Sequence, residues 1–251
     1  MTSETAYYGG ENDTKWLSQN LWNLSGFLGM SPAELMLGSA VLDNFMDLPT
    51  GKYTATQATA GTFALTDEEG GVALASAGST TATQGINVQY GGTAGETFVP
   101  TAGKDIYFET RVKVTANATG PEFFFGLAIT DTSLIAGSAL TSQAIGFKSV
   151  TDDNVLLATC KDGSSETTAS SIHTLVTGTY VKLGFLVIGT TAVKFYVDGA
   201  YVATITANIP TTEMRVSFVC QSGGTTSPVA ALDWVAAWEP RDAGQSLKRH
   251  G

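Results

Sequence analysis

The chain has 251 residues, with 13 Lys or Arg against 23 Asp or Glu, a net charge of −10, and only 14% charged residues beside 43% hydrophobic ones. That length fits one large β-sandwich or barrel with an appendage. The basic side chains form no run longer than Lys248, Arg249 and His250, which argues against unassisted nucleic-acid binding. The 28 Gly and the abundance of Thr mark a strand-and-turn composition and exclude a helical bundle.

The opening stretch, MTSETAYYGGENDTKW, has neither a basic n-region nor an apolar h-region, so it reads as a protein made in a cytoplasm without a secretory leader. No apolar run reaches the length needed to span a bilayer, and no membrane partner is expected. Leu17, Leu21, Leu24 and Leu28 recur at helical spacing behind a candidate N-cap at Asp13. Trp16, Trp22 and Phe27 widen that face. Ser31, Pro32 and Glu34 then start a second short helix, which Gly38 ends. Residues 1–42 therefore read as a helical N-terminal arm, 43–240 as the main domain and 241–251 as a tail.

From Asp43 onward the apolar pattern has period two. In the segment 105–114, Ile106, Phe108, Thr110, Val112 and Val114 face one way, while Tyr107, Glu109, Arg111 and Lys113 face the other, predicting a core face and a wet face. Strands are also predicted over 62–65, 72–76, 84–90, 123–129, 144–148, 155–160, 180–188, 192–197, 201–205, 214–221 and 231–238. The segment 123–129 is apolar on both faces and reads as a covered central strand. Asp198-Gly199 between two alternating runs is the strongest hairpin signal in the chain. Many short strands joined by polar turns, with no helices between them, exclude a parallel α/β sheet and leave a two-sheet antiparallel β-sandwich of jelly-roll type. Cys160 and Cys220 lie in apolar runs and are expected as free, buried thiols.

Several segments between 105 and 238 resemble the concanavalin A-like, or laminin-G-like, sandwich superfamily: Ile106-Tyr-Phe-Glu-Thr-Arg-Val-Lys, Phe125-Gly-Leu-Ala-Ile, Ile145-Gly-Phe-Lys, Tyr180-Val-Lys-Leu-Gly-Phe, Phe195-Tyr-Val-Asp-Gly and Asp233-Trp-Val. The resemblance implies a fold shared by lectins, glycosidases and virion proteins, and so does not choose among them. Its glucanase branch carries acidic residues at alternate positions of one strand, facing the sugar cleft. No strand here has a Glu-x-Asp-x-x-Glu pattern. Glu109 stands alone between Tyr107 and Arg111, Glu122 precedes its strand, and Asp67, Glu68 and Glu69 run into a glycine turn.

Other chemistry is equally sparse. His173 reads as a lone loop histidine and cannot build a zinc site with two distant cysteines. Asp152, Asp153 and Asn154 read as an Asx-rich turn, with calcium ligation as the alternative. No phosphate loop, dinucleotide fingerprint or nucleophile elbow occurs. The residues thus give no catalytic, cofactor-binding or metal site, and the expectation is a protein without enzymatic activity.

The arm carries Trp16, Leu17, Leu21, Trp22, Leu24 and Phe27, side chains of the kind enriched in interface cores, and reads as a partner-binding element that docks on another subunit or on its own sandwich. In style and architecture the whole chain resembles capsid decoration, or cement, proteins of tailed phages. That resemblance implies a virion structural protein on the capsid exterior, binding the major capsid protein and sister copies as a homo-oligomer. The alternatives are a carbohydrate-binding, lectin-like module or phage adhesin recognising surface glycans, and third a divergent glycosidase.

Overall fold

The computed structural model describes residues 38–58, 61–66, 73–91, 97–116, 121–137, 139–149, 154–224 and 227–241. Its 17 strands are β1 (Gly38–Asp43), β2 (Tyr53–Ala58), β3 (Thr62–Leu65), β4 (Ala73–Ser76), β5 (Gly85–Tyr90), β6 (Asp105–Ala116), β7 (Pro121–Ala128), β8 (Ile135–Ala136), β9 (Ala139–Leu140), β10 (Ala144–Ser149), β11 (Val155–Asp162), β12 (Ser165–Thr174), β13 (Tyr180–Ile188), β14 (Ala192–Val197), β15 (Ala200–Ile205), β16 (Arg215–Ser222) and β17 (Val229–Pro240). No helix occurs among the described residues, and the helical segments expected between 13 and 37 lie outside them. Residues 38–42, assigned from sequence to the arm, belong to β1.

Two antiparallel sheets face each other. An 8-stranded sheet has the order β15-β14-β13-β6-β17-β4-β3, with β1 also paired to β17; a 7-stranded sheet has the order β12-β11-β10-β7-β16-β5-β2. β17 is long enough to take two partners on one edge, β4 along Val229–Leu232 and β1 along Val235–Pro240. The mainly-β antiparallel sandwich expected from the period-two pattern is therefore the observed architecture. It forms because alternate residues of most strands are large and apolar, so pairing the strands in register puts one continuous oily face on each sheet.

Phenylalanine dominates the layer between the sheets. Phe108 and Phe185 stack at 4.7 Å between ring centroids, and Phe147 from the opposite sheet meets Phe195 edge-on at 5.4 Å. Phe125, Phe218 and Phe45 continue the chain of rings toward the other end. Both cysteines are free and buried in this layer, as expected. Burial pushes the Cys160 thiol up and the Cys220 thiol to about 12, so neither ionises at neutral pH.

The crossing from β1 in one sheet to β2 in the other turns on Asp43. Its carboxylate accepts from the Phe45 amide at 2.9 Å, the Tyr53 hydroxyl at 2.7 Å and Lys52 Nζ at 3.1 Å. Three donors on one buried carboxylate hold the corner that brings the Phe45 ring beneath Tyr53 and Phe63. Burial, with the charge of Asp43 beside it, pushes the Tyr53 hydroxyl far above the usual phenol range. At the far side the edge strands β12 and β15 lie next to each other, and Asn208 Nδ2 donates to Thr167 Oγ1 at 2.8 Å across that edge.

Candidate functional site

Each sheet has an outer face that could carry a ligand. On the 7-stranded sheet that face is built from Asn87 and Gln89 on β5, Glu122, Phe124, Gly126 and Ala128 on β7, Ala144, Gly146 and Lys148 on β10, and Arg215, Ser217, Val219 and Gln221 on β16. The alternate outward positions of β10, a central strand, hold no acid at all. Part of the face is closed by the chain itself. Leu134, Ile135 and Leu140 from the segment around β8 and β9 pack onto Phe124, Ala128, Ala144 and Val219.

Hydrogen bonds pin that segment down. Asn87 Nδ2 donates to the Asp131 carbonyl at 2.5 Å, Gln89 Nε2 to the Ile129 carbonyl at 2.9 Å and Gln221 Nε2 to the Ile135 carbonyl at 3.1 Å. Burial pushes the Asp131 carboxyl up, but donors from Ser142, the Ser133 amide and Thr141 outweigh it and hold the group below the usual carboxylate range.

Among the described residues, two further carboxylates lie on this outer face. Glu122 accepts from Gln221, while Glu166 accepts from Lys148 Nζ at 2.5 Å and Thr159 Oγ1 at 2.7 Å. Their strands, β7 and β12, are three inter-strand steps apart, or about 14 Å. Glycoside hydrolysis by paired carboxyls uses separations of about 5 Å or about 6.5–9.5 Å. Glu122 and Glu166 do not make such a pair.

The outer face of the 8-stranded sheet is different. Register places Lys113 opposite Tyr180 and Arg111 opposite Lys182, all four pointing outward. A bulge in β17 between Leu232 and Trp234 leaves Asp233 out of the ladder and aims it at Arg111, with which it forms an ion pair. The Thr110 hydroxyl secures the bulge by donating to the Trp234 carbonyl at 2.7 Å. The Arg111 guanidinium carbon lies 3.8 Å from the Tyr180 ring centroid, and Lys113 Nζ lies 4.6 Å from it.

Asp198 closes this patch from the β14–β15 hairpin, where Asp198 and Gly199 take φ of 49° and 78°, the left-handed values the Asp-Gly pair predicts. Its Oδ1 accepts the Lys182 amide at 2.9 Å. Arg111, Tyr180, Lys182 and Asp198 line an open depression of about 390 Å³. Beyond the hairpin, Tyr201 is 59% exposed and its ring meets the more buried Tyr196 at 6.0 Å and 73°.

Several sequence expectations change here. The outward face of β6 is wet only at its Arg111–Lys113 end; Tyr107 and Glu109 are buried, with the Tyr107 hydroxyl donating to Glu109 at 2.8 Å. Glu109 faces Gly184 and Ala236, so no carboxylate stands beside it in register. His173 lies on β12, not in a loop, because the polar run 165–174 pairs with β11. Burial lowers its pKa and the charge of Asp198 works against that shift. Trp16, Leu17, Leu21, Trp22, Leu24, Phe27, Asp67, Glu68, Glu69, Asp152 and Asp153 lie outside the described residues. Among the described residues no three His, Cys, Asp or Glu side chains gather as metal ligands. Sequence reasoning quoted Arg111, Tyr180, Lys182 and Asp198 only as strand and turn residues, since the pairing of β6 with β13 that unites them spans some 70 positions.

No protein-family model matches the chain. No curated protein matches it either. Solved structures do share its fold. A protein of unknown function from Shewanella oneidensis MR-1 superposes with a TM-score of 0.58 at 15% identity, covering 84% of this chain and 94% of that one. The Bacillus licheniformis β-glucanase gives 0.57 at 16% identity, covering 80% and 98%. An endo-β-1,4-glucuronan lyase from the fungus Trichoderma reesei gives 0.52 at 13%, covering 75% and 91%. The expectation of a non-enzymatic chain is corrected by these neighbours, because the fold is one that glucanases and a lyase use. Nor do they lend support to the phage-capsid resemblance. At such identities the likeness establishes the fold, a jelly-roll sandwich consistent with the concanavalin A-like class.

Proposed function

We propose that this chain engages polysaccharide on the outer face of its 8-stranded sheet. The observation that carries this reading is the open depression lined by Arg111, Tyr180, Lys182 and Asp198, continued by the exposed Tyr201. Charged donors and an acceptor beside an exposed aromatic on a flat sheet are what a sugar chain needs, with hydrogen bonds to its hydroxyls and an apolar platform for its ring faces. The glucanase and lyase neighbours support it from the side of the fold. Titration calorimetry against soluble β-glucan, xylan and polyuronate tests it. Saturable binding to at least one, weakened by Tyr201→Ala and Lys182→Ala, is expected, and no binding to any of the three overturns it.

A glycan-cleaving enzyme is the second reading, and the activities named for the fold neighbours favour it. Release of reducing ends or of unsaturated products from a soluble polysaccharide is its test. The virion reading, with the chain on a capsid exterior and its arm on capsid or sister subunits, rests on the sequence resemblance alone, in which the low-charge strands count beside residues 1–42. Loss of particle association on deleting those residues is its test.

A further inference from the structure

The outer face of the 8-stranded sheet is covered at the end away from the depression, and from that burial we infer that residues 13–28 of the same chain lie across it, over β17, β6 and β13. The inference goes beyond the polysaccharide reading and does not depend on it.

Burial is the first reason. Tyr107 and Glu109 on β6, Leu186 on β13, and Ala236 and Trp238 on β17 occupy neighbouring outward positions in register. Tyr107, Glu109 and Trp238 are each no more than 1% exposed. An outward side chain of a sheet has neighbours beside it, but nothing above it unless another segment lies there. Glu109 makes this plain, because its partners in register are Gly184 and Ala236, both too short to overtop a glutamate. The other four side chains belong neither to the layer between the sheets nor to the cluster beneath β8 and β9. They form a separate apolar patch. Its cover has limits: Ala40 and Leu42, in the next row on β1, are exposed, and Arg111 and Lys182 at the depression are half-buried.

Composition and connection identify the cover. The turn 97–104 is tied to the rim of the sheet, its Val99 amide donating to Glu239 and its Lys104 carbonyl accepting from Gly189. The internal stretches outside the described residues are short and hold no leucine, isoleucine, methionine or aromatic residue. The tail 242–251 has Leu247 as its one large apolar residue. Residues 1–37, by contrast, hold Trp16, Leu17, Leu21, Trp22, Leu24 and Phe27. They join the sandwich at Gly38, opposite Pro240, where a Cβ built on Gly38 would lie 2.5 Å from Trp238 Nε1. The arm therefore enters against a ring of the patch. At the helical rise expected from their spacing, residues 13–28 span about 24 Å, against about 10 Å from β17 across β6 to β13. Residues 29–37 reach about 30 Å when extended, so the connection imposes no strain.

The test is photo-cross-linking of the full chain carrying Trp22→p-benzoylphenylalanine, read by peptide mass spectrometry. Cross-links within one chain to 105–109, 184–188 or 234–238 are expected, at a yield that does not change on dilution. Cross-links between chains, or to the outer face of the 7-stranded sheet, overturn the inference, and so does the absence of any cross-link to the sandwich. Leu21→Asp combined with Leu24→Asp is the second variant, followed by hydroxyl-radical footprinting. Oxidation of Tyr107 and Trp238 is expected to rise severalfold, while that of Phe147 and Phe185 between the sheets stays as in wild type. Unchanged protection of Tyr107 and Trp238 overturns the inference. Should all four rings become reactive, the sandwich has opened in that variant and the cross-link map decides.

Discussion

The guanidinium carbon of Arg111 sits 3.8 Å from the centre of the Tyr180 ring, two residues brought together across neighbouring strands from positions 69 apart in the chain. The contact couples folding to recognition, because the ring that helps hold β13 against β6 also fixes the cation at the mouth of the depression. Replacing Tyr180 with Ala is expected to cost about 1–2 kcal/mol in urea unfolding. Tyr180→Phe should recover most of that loss, since a phenyl face still attracts the cation.

Glu239 gives the protein a pH-dependent weakness. Burial pushes its carboxyl up to about 7, against the opposing pull of the Val99 amide and Lys104. The folded protein holds this proton to about pH 7, whereas the unfolded chain releases it near the ordinary glutamate value. Stability from this group is therefore present at low pH and is lost as pH rises between those two values. Glu239→Gln keeps an acceptor for the Val99 amide, which now donates at 2.8 Å, and removes the titration. Unfolding free energies from urea titrations should match wild type at pH 4 and exceed it by about 1–2 kcal/mol at pH 8.

His173 should titrate below the usual histidine value in NMR spectra, because burial disfavours the imidazolium. Asp198 opposes that effect, so Asp198→Asn should move the midpoint further down. A midpoint that fails to fall would mean that the two groups are not coupled through the β12–β15 edge.

Gly126 and Gly146 face each other in the ladder between β7 and β10. A methyl group built on Gly146 would lie 2.5 Å from the Phe125 carbonyl oxygen and 2.9 Å from the Phe124 ring. The pair leaves a flat strip on which that ring rests. Gly146→Ala is expected to destabilise the protein by about 1–3 kcal/mol or more, visible as a lowered melting temperature.

Much of the sandwich was legible because β-strand periodicity is local. In the segment 105–114 and in Asp198-Gly199 a few consecutive residues carry the whole signal, and strand and hairpin form there. β12 was not legible: Ser165–Thr174 is largely polar and buried at none of its positions, so it has no apolar alternation, and pairing with β11 alone makes it a strand. β1 follows a stretch of helical spacing and becomes a strand only through its long-range pairing with β17. The burial of Tyr107 and Glu109 is likewise a tertiary event, invisible in a strand whose sequence alternates apolar and polar residues. For the candidate site, the residue types were in view but their adjacency was not, since it depends on the β6–β13 register and on a bulge that only the paired sheet displays.

The segment around β8 and β9 makes the outer face of the 7-stranded sheet a latent groove. Asn87, Gln89 and Gln221 now spend their amide donors on carbonyls of that overlying segment. Shortening it would return those amides to solvent as a row of outward donors across β5 and β16, beside the uncovered Phe124 ring. One deletion would thus convert a self-sealed surface into a binding floor without touching the layer between the two sheets.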